Sequence, residues 1–205
     1  MGESMNGIRH SLGRIRIAFL YSFWNCINKM FAYGNNVSFG SDLRTVGRIR
    51  IRNRGHIAIG NNVKINSSIM SDPLGGNTCS ILVTTEGAKI DIGNNSGLSN
   101  TVIFARKEVI IGDNVNIGAG VCIYDNDFHQ LLLSSRLACE KPTTKEIYIK
   151  DGAFIGAHSI ILKGVTIGEQ SVIGAGSIVT KSVPPHEIWA GNPARFIRVL
   201  EESKK

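Results

Sequence analysis

The sequence predicts an all-β fold, a three-sided coil of short parallel strands, and three observations carry that expectation. From residue 149 the chain divides without remainder into the six-residue units IKDGAF IGAHSI ILKGVT IGEQSV IGAGSI VTKSVP. Their first positions are Ile149, Ile155, Ile161, Ile167, Ile173 and Val179, and their fifth positions (Ala153, Ser159, Val165, Ser171, Ser177, Val183) are all small or slim. Turn residues recur between the aliphatics, as in GNN, GDN and the glycines Gly156, Gly168 and Gly174. A period of six suits neither an amphipathic helix, at 3.6, nor a lone strand, at 2. It suits a prism in which each face is one short strand and the first-position aliphatics stack inward from coil to coil. Small fifth-position residues fit the corners, and Gly and Asn tolerate the positive φ that tight corners need.

The totals agree with one domain, or a domain plus an arm. The chain has 205 residues, 42% of them hydrophobic, with 23 Gly against 5 Pro. That is too apolar for a disordered chain and rich in turns. The net charge of +7 comes without a long Lys/Arg block, which suits an anionic ligand, an anionic membrane surface or solubility alone. Four cysteines (Cys26, Cys79, Cys122, Cys139) form no C-x-x-C pair, so a reducing, cytoplasmic setting is expected.

In chain order, residues 1–32 read as an N-terminal helical arm. IRIAFLYSFWNCINKMF is apolar and follows Arg9, Arg14 and Arg16, but Asn25, Asn28 and Lys29 interrupt it before a membrane span accumulates. It reads as an amphipathic helix docked on the domain, with peripheral contact to the inner face of a membrane as the alternative. The prism is expected over residues 33–200. Earlier rungs are Tyr33 and Phe39, Ile59 and Ile65, Ile92 and Leu98, then Ile111, Ile117 and Ile123, with SDPLGGNTCS and TTEGAK as loops between them. RIRIRNR, residues 48–54, alternates as a strand with an outward arginine face. No aromatic interleaving marks it for nucleic acid.

The rhythm breaks after Ile123. The next apolar beat falls on position 129, where the sequence is YDNDFH and supplies His129; the repeat resumes at Ile149. Ile149 follows Ile123 by 26 positions, four coil faces plus two, a phase slip that marks an inserted loop over about residues 125–147. Its leucines are expected to pack on a neighbouring subunit and help wall a cleft. A histidine is the natural base near neutrality, with an ordinary pKa of about 6.5. If one ring nitrogen takes a proton, the other is best held by a carboxylate, and both Asp125 and Asp127 lie close enough to do so. His158 occupies a corner slot and reads as structural, as do His56 and His186 in turns. Zinc chemistry needs three histidine ligands around one metal, and no paired His spacing offers them, so no metal is expected.

The repeat, the tail VIGAGSIVTKSVPPHEIWAGNPARFIR and the broken rung at His129 resemble the hexapeptide-repeat acyltransferases, above all the sugar O-acetyltransferases of the maltose and galactoside type and those of capsule and exopolysaccharide synthesis. The resemblance implies a left-handed parallel β-helix, a homotrimer with active sites between subunits, acetyl-CoA as acyl donor and a saccharide acceptor. It implies His129 as the general base. For the donor it implies Ala157 and Ala175 along the pantetheine arm, with Thr180 and Lys181 continuing that wall. The capping segment 184–200 adds Pro193 near adenine and Arg195 and Arg198 for phosphates, to which a guanidinium fork is matched. Asn100 falls where those enzymes meet the acceptor. No Cys or Ser sits in a nucleophile motif, so a covalent acyl-enzyme is not expected. N-acetylation of an amino sugar or antibiotic-like acceptor, and a non-catalytic scaffold, are the competing readings.

Overall fold

The computed structural model describes residues 20–69 and 71–201; residues 1–19, with Arg9, His10, Arg14 and Arg16, lie outside the described part. After a helix over residues 20–34 (α1) the chain winds through six coils of three strands each. The first coil is β1 (Val37–Phe39), β2 (Arg44–Gly47) and β3 (Arg50–Asn53); the second is β4 (His56–Ile59), β5 (Lys64–Ser67) and β6 (Ile81–Thr84). The third is β7 (Lys89–Ile92), β8 (Gly97–Ser99) and β9 (Val102–Ala105); the fourth is β10 (Glu108–Ile111), β11 (Asn116–Ile117) and β12 (Cys122–Tyr124). A short helix, α2 (Leu133–Leu137), precedes β13 (Ile147–Ile149), β14 (Phe154–Ile155) and β15 (Ile160–Leu162), and β16 (Thr166–Ile167), β17 (Val172–Ile173) and β18 (Ile178–Val179) close the last coil. An antiparallel hairpin of β19 (Glu187–Gly191) and β20 (Ala194–Val199) extends the second sheet.

Every third strand pairs in parallel, giving one sheet per face. Register places Ile59, Ile92, Ile111, Ile149 and Ile167 in one file, Ile65, Leu98, Ile117, Ile155 and Ile173 in the second, and Ile51, Leu82, Ile103, Ile123, Ile161 and Val179 in the third. All but Ile51, which is partly buried, are sealed in the core. No single coil could bury such a file alone; stacking does it, as the six-residue period requires. Tyr33 is not a rung: it is 81% exposed near the end of α1, and Val37 is the buried residue that opens the first coil.

The polar residues that interrupt the arm dock it. Asn28, 3% exposed, donates to Thr45 Oγ1 (3.0 Å) and the Gly47 carbonyl (2.7 Å), and its Oδ1 accepts the Ile49 N–H (3.2 Å). Asn25 Oδ1 accepts the Thr45 N–H (3.1 Å). The helix thus serves backbone groups of the first coil that would otherwise be buried without partners.

The three outer faces differ. On the first sheet, Lys89 and Asp91 form an ion pair at 2.5 Å, and Tyr148 donates to Glu108 (2.8 Å). The third sheet presents two apolar rows instead: Val102, Cys122 and Ile160 in one, Phe104, Tyr124 and Leu162 in the other, all half-buried. Two excursions leave from the corners at its two edges, residues 68–80 before β6 and 125–146 after β12.

Candidate active site

The excursion that carries His129 is set into a corner whose length varies from coil to coil. The step from the third file to the first is eight positions from Ile51 to Ile59 and from Ile103 to Ile111, ten from Leu82 to Ile92 and six from Ile161 to Ile167. Two positions beyond a multiple of six are therefore within the corner's ordinary variation. Ile149 follows Ile123 by 26 positions, 18 more than the step one coil earlier, and the later coils resume in register, with Ile147 on Val109 and Ile149 on Ile111.

The neck of the loop is closed by an antiparallel bridge between Asn126 and Thr144, by the Asp127 N–H on the Thr143 carbonyl (3.2 Å) and by the Lys145 N–H on the Asp125 carbonyl (2.9 Å). Asp125 is fully buried, one register step beyond Tyr124, where the previous coils place Ala105 and Thr84. Its carboxylate accepts the backbone N–H groups of Arg106 (2.8 and 3.0 Å), Lys107 (2.6 Å) and Glu108 (2.9 Å), and the Asn126 amide (3.0 Å). Two coils earlier Thr84 Oγ1 serves the N–H groups of Arg54 and Gly55 in the same way. Asp125 is a turn anchor: its oxygens are committed to backbone, and the expectation that it orients the imidazole gives way to that role.

Asp127 points elsewhere. Its Oδ1 pairs with Lys163 Nζ at 2.6 Å, both side chains being three-quarters or more buried. The Asp127 carbonyl accepts the His129 N–H at 2.6 Å across Phe128, whose φ is +60°. This is a γ-turn of the positive-φ kind, rare because it is strained. The turn projects His129, which is exposed, beside a recess of about 270 Å³ lined by Arg106, Phe128, Gln130, Arg136 and Lys141 among others. Phe128 stacks edge-on against Phe104 (5.1 Å) and Tyr124 (5.2 Å). An apolar, aromatic floor thus runs from the third sheet to the histidine. Burial, with the neighbouring Cys122 thiol, pushes the Tyr124 phenol well above the ordinary tyrosine range, so it stays neutral.

The residues expected to meet the donor fall into two groups. Ala157 and Ala175 stand in one corner file with Ala119, at the edge where the second sheet passes to the third, and the Ala157 carbonyl accepts the Gly176 N–H (2.8 Å). Thr180 and Lys181, both exposed, lie at the opposite edge of the third sheet, on the side of His129. Pro193 occupies the turn of the C-terminal hairpin; Arg195 and Arg198, exposed on β20, each donate from Nη1 to a carbonyl of their own strand, of Ala194 (2.9 Å) and Val199 (3.4 Å). Asn100 is 1% exposed and at φ +45°, and its amide donates to the Asp72 carbonyl (3.2 Å), which ties the 68–80 excursion to the prism. His158 fills a corner where its neighbours in the file are Gly120 and Gly176, all at positive φ, and its Nε2 lies 2.9 Å from the Leu74 carbonyl. Among the described residues no three His, Cys, Asp or Glu side chains gather as metal ligands.

Lys163 and Arg106 were not singled out from sequence. They sit in the corners one coil after and one coil before the neck, 36 and 21 residues from Asp127. Only the register brings them there.

Comparison with known proteins points one way. Residues 146–181 match the model of the bacterial transferase hexapeptide (six repeats), and residues 108–124 that of the hexapeptide repeat of succinyl-transferase. The chain is 40% identical over 122 residues to galactoside O-acetyltransferase of Escherichia coli (strain K12), covering 58% of each protein. It therefore spans less than two thirds of that relative's length. A hexapeptide-repeat acetyltransferase of Vibrio cholerae O1 biovar eltor, solved with acetyl coenzyme A, superposes with a TM-score of 0.54 at 35% identity, over 58% of this chain and 64% of that one. AntD, an N-acyltransferase of Bacillus cereus solved with dTDP and 3-hydroxybutyryl-CoA, superposes with a TM-score of 0.67 at 26% identity, over 85% of this chain and 88% of that one. The parallel β-helix described above is the left-handed prism of such proteins.

Proposed function

We propose that this hexapeptide-repeat chain is an acetyl-CoA-dependent O-acetyltransferase acting on a saccharide hydroxyl, with His129 as its base. One observation carries the reading: a strained turn presents an exposed imidazole beside an aromatic floor, on a neck whose two carboxylates are engaged by Lys163 and by backbone N–H groups. His129 takes the hydroxyl proton as the oxygen attacks the thioester carbonyl. The C–S bond then breaks, and the same proton passes to the departing thiolate to give an acetyl ester and CoA. Asp127 is a positioning residue in this scheme, acting through the neck.

We infer a homotrimer with sites between subunits, and the same layout supports it. Ala157 and Ala175 stand at one edge of the apolar third sheet, Thr180, Lys181 and His129 at the other. Two copies packed along that face would bring opposite edges together, so that one donor meets both sets, and would cover Leu131, Leu132 and Leu137, which are 70–78% exposed. Arg195 and Arg198 would turn to the phosphates and Pro193 to the adenine. Among the described residues no helix is long and apolar enough to cross a membrane. We place the chain in the cytoplasm, where its donor is available, with the exposed Phe23, Met30 and Tyr33 of α1 as the surface for any contact with a membrane's inner face.

The likeness to AntD over 85% of the chain favours N-acylation of an amino sugar as the second reading. Matched alcohol and amine acceptors decide, because an acetyl ester is cleaved by hydroxylamine and an amide is not. The test is CoA release with a saccharide panel. His129→Ala should lower kcat roughly 10²- to 10⁴-fold, and release at the wild-type rate would remove His129 from the mechanism.

A further inference from the structure

Taking the O-acetyltransferase reading as its basis, we infer that the acceptor is an anionic saccharide, whose carboxylate or phosphate group sits in the recess beside His129. Arg106, Arg136 and Lys141 face that recess, against Glu140 as its one acid. The Arg106 guanidinium lies over the Phe104 ring, its carbon 5.9 Å from the ring centroid. Its Nε is buried and has no hydrogen-bond partner among the described residues. Among the described residues no acid lies within ion-pair distance of this guanidinium, and the geometry points to an anionic ligand that pairs with it. Arg136 is held at the rim by the carbonyls of Gln130 and Leu131, each 3.2 Å from Nη1. A planar fork fixed in this way matches two oxygens of one acidic group, whereas a neutral hydroxyl offers a single weak acceptor and no charge. The acid would thus dock one end of the sugar while the hydroxyl to be acetylated reaches the imidazole.

The experiment compares methyl galactopyranoside with its C6 carboxylate and C6 phosphate counterparts as acceptors, at low salt. One of the two acids should exceed the neutral sugar in kcat/KM by roughly 10- to 100-fold, the size of a charge-assisted contact, and which acid does so identifies the group. Added salt should shrink that ratio. Arg106→Gln and, on the exposed helix, Arg136→Gln should each collapse it toward one through the KM of the acid. Equal use of all three sugars would overturn the inference alone. A rise in the KM of acetyl-CoA in these variants would also overturn it, by assigning the recess to the donor's phosphates. No acetyl transfer to any saccharide would bring down the activity reading, and this inference with it.

Discussion

Lys163 Nζ lies 2.6 Å from Asp127 Oδ1, so a corner of the fifth coil clamps the neck of a loop that leaves from the fourth. The pair is mostly shielded from water, where an ion pair holds geometry at a considerable desolvation cost.

Breaking the pair should therefore affect both folding and turnover. Asp127→Asn and Lys163→Met are each expected to cost about 2–4 kcal/mol in stability, since each leaves its partner unserved, and displacement of His129 should lower kcat/KM for the acceptor roughly 10- to 100-fold. The double variant should be no worse than the poorer single one, since both remove one interaction. Fully additive losses would mean that the two residues act independently.

At Asp125 the expected loss is in folding. Asp125→Ala leaves three consecutive N–H groups, of Arg106, Lys107 and Glu108, without their acceptor. A loss of about 3 kcal/mol is expected, read as a lower denaturant midpoint. His129→Ala, on an exposed side chain, should move that midpoint by no more than about 0.5 kcal/mol equivalent.

Two glycines, one in a corner and one in a strand, offer a packing test. A Cβ on Gly156 would lie 2.4 Å from the Ala175 nitrogen and 2.7 Å from the Ile173 carbonyl oxygen, both backbone. Gly156→Ala should cost about 1–3 kcal/mol. At Gly97 the nearest atom is Asn116 Oδ1, 3.5 Å away, and Gly97→Ala should be neutral or stabilise by up to about 1 kcal/mol. Thermal denaturation of the two variants checks both.

Tyr124 gives a prediction in alkali. Burial raises its phenol above the ordinary value, so the folded state holds that proton more tightly than the unfolded chain does. Its contribution to stability is complete below about pH 10, the ordinary tyrosine pKa, and is lost as pH climbs through the folded value. Tyr124→Phe should remove a late step from the ultraviolet phenolate titration. It should also flatten the alkaline fall in stability.

The prism was legible in sequence because its core is a spacing rule. Ile149, Ile155, Ile161 and their fellows need only face inward every sixth residue, and all of them do. His129 was legible as a breach of that rule. Its surroundings were not, since they come from neighbours one coil away: Lys163 on Asp127, and the Arg106 turn on Asp125. Spacing shows that a residue stands at a corner, not which strand lies above it. Asn25 and Asn28 read as interruptions of an apolar helix for the same reason, as their partners Thr45 and Gly47 are some twenty residues on.

The 18 residues by which the corner before β13 exceeds that of the preceding coil equal one turn of a three-sided coil with six-residue faces, and α2 within the excursion contributes no buried residue. With the neck closed by Asn126 and Thr144, the prism beyond it keeps its alignment whatever the excursion contains. Selection can thus rewrite the excursion without disturbing the scaffold beneath it. The sequence beside His129 and the spacing that keeps the chain folded are heritable apart.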